Sequence, residues 1–234
     1  MPADVQPELT VLVPALNEEA TIRQVIERVL AVPLATQVVV IDDGSTDRTP
    51  EILKEFGERI VVVRNERPQG KGAALRKGLE KALGRVVVVQ DADLEYLPEE
   101  LPSVVRPILD GTESVVYGSR FTRGLPKSMA LPNKVVNVLL AWAVRLLYWR
   151  PMTDEATCYK AFRTDLVRRM DLQCTRFEFC PEVTAKAIRM GERIREVPIS
   201  YTARTTLEGK KIRWTDAPHA FWTLLRYRFW KPTA

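Results

Sequence analysis

The stretch Arg85-Val86-Val87-Val88-Val89-Gln90-Asp91-Ala92-Asp93-Leu94-Glu95 decides how this chain is read. An unbroken run of valines predicts a strand buried on both faces of a parallel sheet. The run stops in two carboxylates separated by one small residue. Open α/β sheets bind ligands in the crevice at the carboxyl ends of their strands, so Asp91 and Asp93 stand where a ligand is expected. Carboxylates at i and i+2 suit one hard cation, Mg²⁺ or Mn²⁺, which takes one or two protein carboxylates and fills its shell with substrate phosphate oxygens. A solvated acidic turn has the same pattern, so the pair needs support from elsewhere in the chain.

That support comes from the first half, where strands and helices alternate. Strands are predicted at Leu9–Pro14, Gln37–Ile41, Ile60–Val63, the Val86 run and Ser114–Tyr117. Asn17 is expected to cap a helix running through Glu18 and Glu19, with Ile22, Val25, Ile26, Val29 and Leu30 along one face. Thr49-Pro50-Glu51 carries a helix-start signature, and Gly70-Lys71-Gly72 opens a helix with Leu75, Leu79, Ala82 and Leu83 on one side. The alternation predicts an α/β fold with a mostly parallel, doubly wound sheet. Polar groups then fall just after four strand ends: Asn17 and Glu18, Asp42 and Asp43, Lys71, and Asp91 with Asp93. One nucleoside diphosphate would reach all four. Neither a Gly-x-Gly-x-x-Gly nor a Gly-x-x-x-x-Gly-Lys-[Ser/Thr] motif is present, which disfavours dinucleotide-binding and P-loop enzymes.

Composition narrows the classes further. The chain of 234 residues, 46% hydrophobic and 28% charged, is long enough for one large domain and is not disordered in composition. The three cysteines, Cys158, Cys174 and Cys180, form no Cys-x-x-Cys pair, and the lone histidine is His219. A reduced, cytoplasmic compartment is expected, and a zinc site or His-based triad is not. Met1–Pro7 does not read as a signal peptide. Residues 1–117 hold 13 Lys and Arg against 20 Asp and Glu, a balance of −7. Residues 118–234 hold 22 against 10, a balance of +12, which points the second half at an anionic partner. No nucleic-acid recognition motif accompanies that charge, so no nucleic acid is expected.

Four motifs together resemble family 2 glycosyltransferases of the GT-A fold: Val13-Pro14-Ala15-Leu16-Asn17-Glu18, Val40-Ile41-Asp42-Asp43-Gly44-Ser45-Thr46-Asp47, Gly70-Lys71-Gly72 and Asp91-Ala92-Asp93. Gly118-Ser119-Arg120, Thr153-Asp154-Glu155-Ala156-Thr157-Cys158-Tyr159-Lys160, Phe177–Glu182, Glu196–Ile199, Tyr201 with Arg204, and Glu208–Ile212 extend the likeness to the dolichol- or polyprenol-phosphate sugar synthase-like branch. The resemblance implies that Pro14, Asn17, Glu18 and Asp43 contact the base and ribose of a nucleotide sugar, UDP- or GDP-linked, with Lys71 near that pocket. It implies Asp91 and Asp93 as metal ligands, Asp93 the more direct. Arg120, Arg204 and Lys210 fall where the family places basic groups near phosphates, with Lys211 as a neighbour. Ala156 departs from the pattern, which carries Glu there, and Glu155 comes one residue early.

The chemistry implied is transfer of a sugar, with inversion, to a polyprenyl phosphate. A hydroxyl acceptor is the alternative and needs a general base, for which Asp154 is the first candidate; Asp154 also reads as a loop cap. A phosphomonoester, with a second pKa of about 6, needs cations instead, which favours Arg120, Arg204 and Lys210. A sugar-nucleotide pyrophosphorylase would want a Gly-rich basic loop after the first strand, where Ala15-Leu16-Asn17-Glu18 stands. A non-catalytic membrane module has no need of the Asp-x-Asp pair. The apolar stretch Val135–Trp149 is short of the roughly 20 residues of a membrane span and is expected to pack under protein or lie at an interface. The tail Phe221–Lys231 mixes aromatics with Arg226, Arg228 and Lys231, as headgroup-region segments do. The expectation is one GT-A domain, a nucleotide-sugar half to about 117 and an acceptor half over 118–234, peripheral on the cytoplasmic face of an anionic membrane. The sequence leaves the oligomeric state open.

Overall fold

The structure, a computed structural model, describes residues 6–204 and 217–232. Its elements follow the chain as β1 (Leu9–Ala15), α1 (Ile22–Leu30), β2 (Thr36–Asp42), α2 (Thr49–Lys54), β3 (Val61–Arg64), α3 (Lys71–Glu80), β4 (Val86–Val89) and α4 (Leu101–Leu109). They continue as β5 (Val115–Ser119), α5 (Leu131–Tyr148), β6 (Lys160–Arg163), α6 (Thr164–Arg169), α7 (Phe179–Arg189), β7 (Ile194–Pro198) and α8 (Ala217–Tyr227). The strands form one sheet in the order β3-β2-β1-β4-β6-β5-β7. Every pairing is parallel except the two made by β6, which runs against β4 and β5. The expected five strands are present, and β6 and β7 from the second half complete the sheet.

The valine run reads true. All four residues of β4 are buried, and the strand lies between β1 and β6 with both edges hydrogen-bonded. The third valine-rich strand behaves differently. β3 pairs only with β2, and Val61 and Val62 are exposed because an edge strand keeps a free flank.

Two helix starts differ from expectation. The first helix begins at Ile22, not at Asn17. Asn17 adopts a left-handed turn, φ 52°, and the Glu18 and Glu19 amides donate outward to Thr49 Oγ1 and Asp47 Oδ2. Amides spent on a neighbouring loop cannot start a helix ladder. The Thr49 hydroxyl oxygen accepts the Glu18 amide and does not cap its own helix, which Arg48 precedes.

The second half builds a helical layer in which α5, α7 and α8 pack on one another. In α5, Asn137, Leu140, Ala141, Val144 and Tyr148 form the buried stripe at helical spacing. Tyr148 donates its hydroxyl to the Leu224 carbonyl of α8 at 2.6 Å. Lys186 of α7 is buried; its amine bonds Glu182 at 2.6 Å and the Asp171 carbonyl at 2.7 Å and faces the rings of Tyr227 and Trp230. The C-terminal helix is therefore docked, while Trp222 and Leu225 on it and Phe229 just beyond its end remain exposed. Among the described residues no helix is long and apolar enough to cross a membrane.

Lys186→Met leaves the fully buried Glu182 carboxylate without its cation. The expected loss is about 3–5 kcal/mol of unfolding free energy, read by urea denaturation. An unchanged midpoint would show that the cation does not hold α7 to the C-terminal segment.

Candidate active site

The carboxyl ends of β1, β2 and β4, with the start of α3, meet at one cavity of about 570 Å³. The loops after β1 and β2 are stitched together first. Asn17 N donates to Ser45 Oγ, Asn17 Oδ1 accepts from Thr46 N, and Asp43 N donates to the Ala15 carbonyl. Asn17 is thus spent on loop geometry: it is exposed and does not line the cavity, whereas Pro14, Glu18 and Asp43 do. Asp43 in turn fixes the next loop, accepting from Asn65 Nδ2, Gln69 N and Gly70 N at 2.7–2.9 Å.

Gly70 turns the chain into α3 at φ 97°, a conformation that disfavours any Cβ. A Cβ there would also meet the Thr175 carbonyl oxygen at 2.4 Å. The first amides of α3 are capped by backbone: Gly72 N donates to the Arg176 carbonyl and Ala73 N to that of Thr175. This points Lys71 at Asp91, and the two form a part-buried ion pair. Burial opposes the charge of Asp91, but Lys71 overrides it and holds the carboxyl below the usual range.

Asp93 sits two residues on, its Oδ1 accepting from Glu95 N. Burial foremost, then the Asp91 and Glu95 carboxylates, push its carboxyl up to about 7 against the pull of Arg204. Arg204 arrives from a segment stapled to this loop. Ser200 is held by Glu100, and the Tyr201 hydroxyl and Arg204 amide donate to Glu95 at 3.0 and 2.7 Å. The Arg204 guanidinium then spans Glu18 at 3.1 Å and Asp93 at 3.0 Å.

Arg120 follows β5 and also lines the cavity, under the ring of Tyr201. Both oxygens of Asp154 accept from its guanidinium at 2.7 Å, and Asp154 Oδ2 takes the Arg120 amide as well. Asp154 is fully buried, does not line the cavity and holds Arg120 with both carboxylate oxygens. Glu196 of β7 holds this corner by accepting from Thr153 N, Thr153 Oγ1 and Asp154 N. Lys210 and Lys211 lie outside the described residues.

Several groups here were not singled out from sequence: Glu95, Glu100 and Glu196 as anchors, and Arg176, Asn133 and Met129 as cavity lining. Glu196 and Arg176 stood in or beside quoted motifs, but nothing local marks which buried donors a glutamate will serve. Glu155 lines the cavity as a fully buried acid whose carboxyl burial pushes up.

Does this site suit a divalent ion? Among the described residues no group of three or more metal-ligating side chains comes together. The donors offered are hard oxygens of Asp91 and Asp93, in a place already crowded with negative charge. That set fits Mg²⁺ or Mn²⁺ shared with a diphosphate, and does not fit a closed all-protein site.

The sequence pattern described as glycosyl transferase family 2 matches residues 10–169. The chain belongs to that family. It is 35% identical over 209 residues to a low-salt glycan biosynthesis hexosyltransferase of Haloferax volcanii, covering 86% of this chain. The chain spans about half of that relative's length, 49%. It is 30% identical over 224 residues to the UDP-N-acetylglucosamine–dolichyl-phosphate N-acetylglucosaminyltransferase of Methanococcus voltae, covering 86% of this chain and 89% of the relative. These and a dolichol-phosphate mannosyltransferase of Pyrococcus furiosus, 27% identical, put the family 2 chain in the polyprenyl-phosphate sugar synthase-like branch. Among solved structures, glucosyl-3-phosphoglycerate synthase of Mycobacterium tuberculosis, with Mn²⁺, UDP-glucose and phosphoglyceric acid, superposes with a TM-score of 0.71 at 26% identity. The superposition covers 97% of this chain and 81% of that one, and the fold is GT-A.

Arg120→Ala strands the buried Asp154 charge and is expected to cost about 3–5 kcal/mol in chemical denaturation. Arg120→Lys should recover only part, because an ammonium cannot make the paired bonds of the guanidinium. Full stability in Arg120→Ala would refute this reading of the pair.

Proposed function

We propose that the chain transfers a sugar, with inversion, from a UDP- or GDP-linked donor to a polyprenyl phosphate. The observation carrying this reading is that one cavity holds both kinds of wall. Its lining includes the carboxylate set at the strand ends and the apolar set Met129, Val136, Leu140, Phe177 and Phe179. A lipid phosphate beside a nucleotide sugar needs both.

In this reading Pro14, Glu18 and Asp43 receive the nucleotide, and Asp93 with Asp91 holds the divalent ion together with the donor diphosphate. A bound ion there supplies Lewis-acid stabilisation of the charge that grows on the leaving phosphate. Lys71 keeps Asp91 ionised, and Arg204 and Arg120 bring positive charge to the space between the two phosphates. Lys210 belongs to the same proposal from sequence alone. A phosphomonoester carries its own nucleophilic oxygen and needs no general base. The burial of Asp154 against Arg120 fits that economy better than it fits a hydroxyl acceptor. A phosphorylated small molecule is the second reading, favoured by the phosphoglyceric acid bound in the Mycobacterium tuberculosis neighbour.

The same proposal treats the chain as one GT-A domain, with a nucleotide-sugar half to about 117 and an acceptor half after it, working at an anionic membrane surface. The supporting feature is the outer side of α5 and α8, where Leu139, Trp142, Leu146, Trp222 and Leu225 are all exposed, with Phe229 exposed just past α8. Arg226, Arg228 and Lys231 stand close to them in the chain. Scattered exposed apolar residues are ordinary, but large ones gathered on two packed helices mark an interaction face.

The chemistry is tested by nucleoside diphosphate release from a panel of UDP- and GDP-sugars, with and without undecaprenyl phosphate. Release should require both lipid phosphate and Mg²⁺ or Mn²⁺, and Asp93→Asn should abolish it while the protein stays folded. Full turnover in excess chelator would remove the metal from the reaction. The surface is tested by co-sedimentation with phosphatidylglycerol vesicles. Binding should fall as salt rises and the Debye length shrinks from about 10 Å at 0.1 M to 3 Å at 1 M. The exposed-site variant Leu146→Glu/Trp222→Glu should stay in the supernatant; equal binding by that variant would move the contact elsewhere.

A further inference from the structure

The cavity presents an imbalance of charge that the proposed reaction has to resolve. Its described lining includes the carboxylates Glu18, Asp43, Asp91, Asp93, Glu95, Glu155 and Glu178. Against these stand Lys71, Arg120, Arg176, Arg204 and His219. Lys71 is paired with Asp91, Arg120 with Asp154, Arg204 with Glu18 and Asp93, and His219 lies 3.9 Å from Glu178. Among the described residues lining the cavity, Arg176 is the cation with no carboxylate against its side chain. An anion entering this space meets carboxylates on most sides, and Arg176 is the positive group that need not break a pair to receive it.

The position of Arg176 is built. Its amide donates to Glu178 Oε2 at 3.0 Å, and its carbonyl accepts from Gly72 N at 2.9 Å. Thr175, just before it, is held by Glu178 Oε1 and by Ala73 N. Its stem passes Gly70 so closely that a Cβ there would lie 3.3 Å from Arg176 Cγ. The root of the side chain is therefore fixed between the start of α3, on the donor side, and Phe177, the first residue of the apolar wall. The exposed end is left free.

We propose that Arg176 is the residue that binds the phosphate monoester of the acceptor. The inference rests on the reading of the acceptor as a phosphate. Guanidinium presents paired N–H donors to two phosphate oxygens at once, a fit that a fixed backbone makes specific. A phosphate seated at Arg176 has the apolar wall beginning at the next residue, which is where the chain of a lipid phosphate would run. The donor diphosphate, by contrast, is served by Lys71 and by the ion at Asp91 and Asp93.

The test compares wild type, Arg176→Ala and Arg176→Lys by calorimetric titration with farnesyl phosphate, farnesol, glycerol 3-phosphate and, with Mn²⁺, UDP. Removing a charge-assisted contact should weaken farnesyl phosphate about 10- to 100-fold in Arg176→Ala. Arg176→Lys should fall between, while farnesol and UDP stay within about twofold of wild type. Because Arg176 is exposed, both variants should keep the wild-type thermal midpoint. Unchanged farnesyl phosphate affinity in a folded Arg176→Ala overturns the proposal, and so does an equal loss for UDP, which would put Arg176 on the donor. Glycerol 3-phosphate separates the two levels of the argument. If it binds wild type as tightly as farnesyl phosphate and loses that affinity in Arg176→Ala, the phosphate contact stands and the lipid reading falls.

Discussion

The ion pair between Lys71 and Asp91 is the interaction on which the rest of the site depends. A carboxylate at the buried end of a strand pays heavily for lost hydration unless a cation is delivered to it. Delivery here requires the first turn of α3 to stand at one place. Asp43 takes the Gly70 amide on one side, and the carbonyls of Thr175 and Arg176 take the amides of Gly72 and Ala73 on the other. That second clamp is itself held by Glu178, which accepts from Thr175 and Arg176, and by Glu182, which accepts from Gln173 and Cys174. Glu182 is neutralised by Lys186, whose amine faces the C-terminal aromatics. A charge at the end of β4 is thus connected, through hydrogen bonds and one more ion pair, to the docking of α8.

The same logic recurs at the other two carboxylate positions. Asp93 is met by Arg204, and Asp154 by Arg120, each pair joining segments more than thirty residues apart, with one side of each pair held by a separate glutamate. Glu95 fixes the Arg204 backbone, and Glu196 fixes the loop that carries Asp154. The fold spends its buried acids in two ways: some face the cavity, and others set the backbone that makes those faces possible. Which acid does which is a matter of where hydrogen-bond donors end up, because each donor takes one of the roughly four acceptor sites of an ionised carboxylate.

The helical layer makes a similar division with apolar groups. One stripe of α5 and one side of α8 supply the core, and the opposite sides stay exposed. The sequence offered burial and interface as alternatives for these segments. The structure buries one face of each helix and leaves the opposite face exposed.

Much of the framework was legible in the chain itself. The valine run of β4, the alternation of strands and helices and the polar groups at four strand ends follow from short-range patterning, since a period of two or of 3.6 is a local property. Asp91, Asp93, Asp43, Glu18, Lys71 and Arg204 do meet at one cavity. What only the tertiary structure decided is partnership. Asn17, expected as a helix cap, stitches two loops instead because Thr46 and Ser45 lie beside it. Asp154 became the seat of Arg120 because β5 and the loop before β6 pack together, and the valines of β3 stay exposed because the sheet ends there. Residue types and spacing determined which charges and apolar runs the chain carries; the three-dimensional contacts decided which charges neutralise one another and which, like Arg176, are left facing the cavity, because pairing energy depends on distance in space and not along the chain.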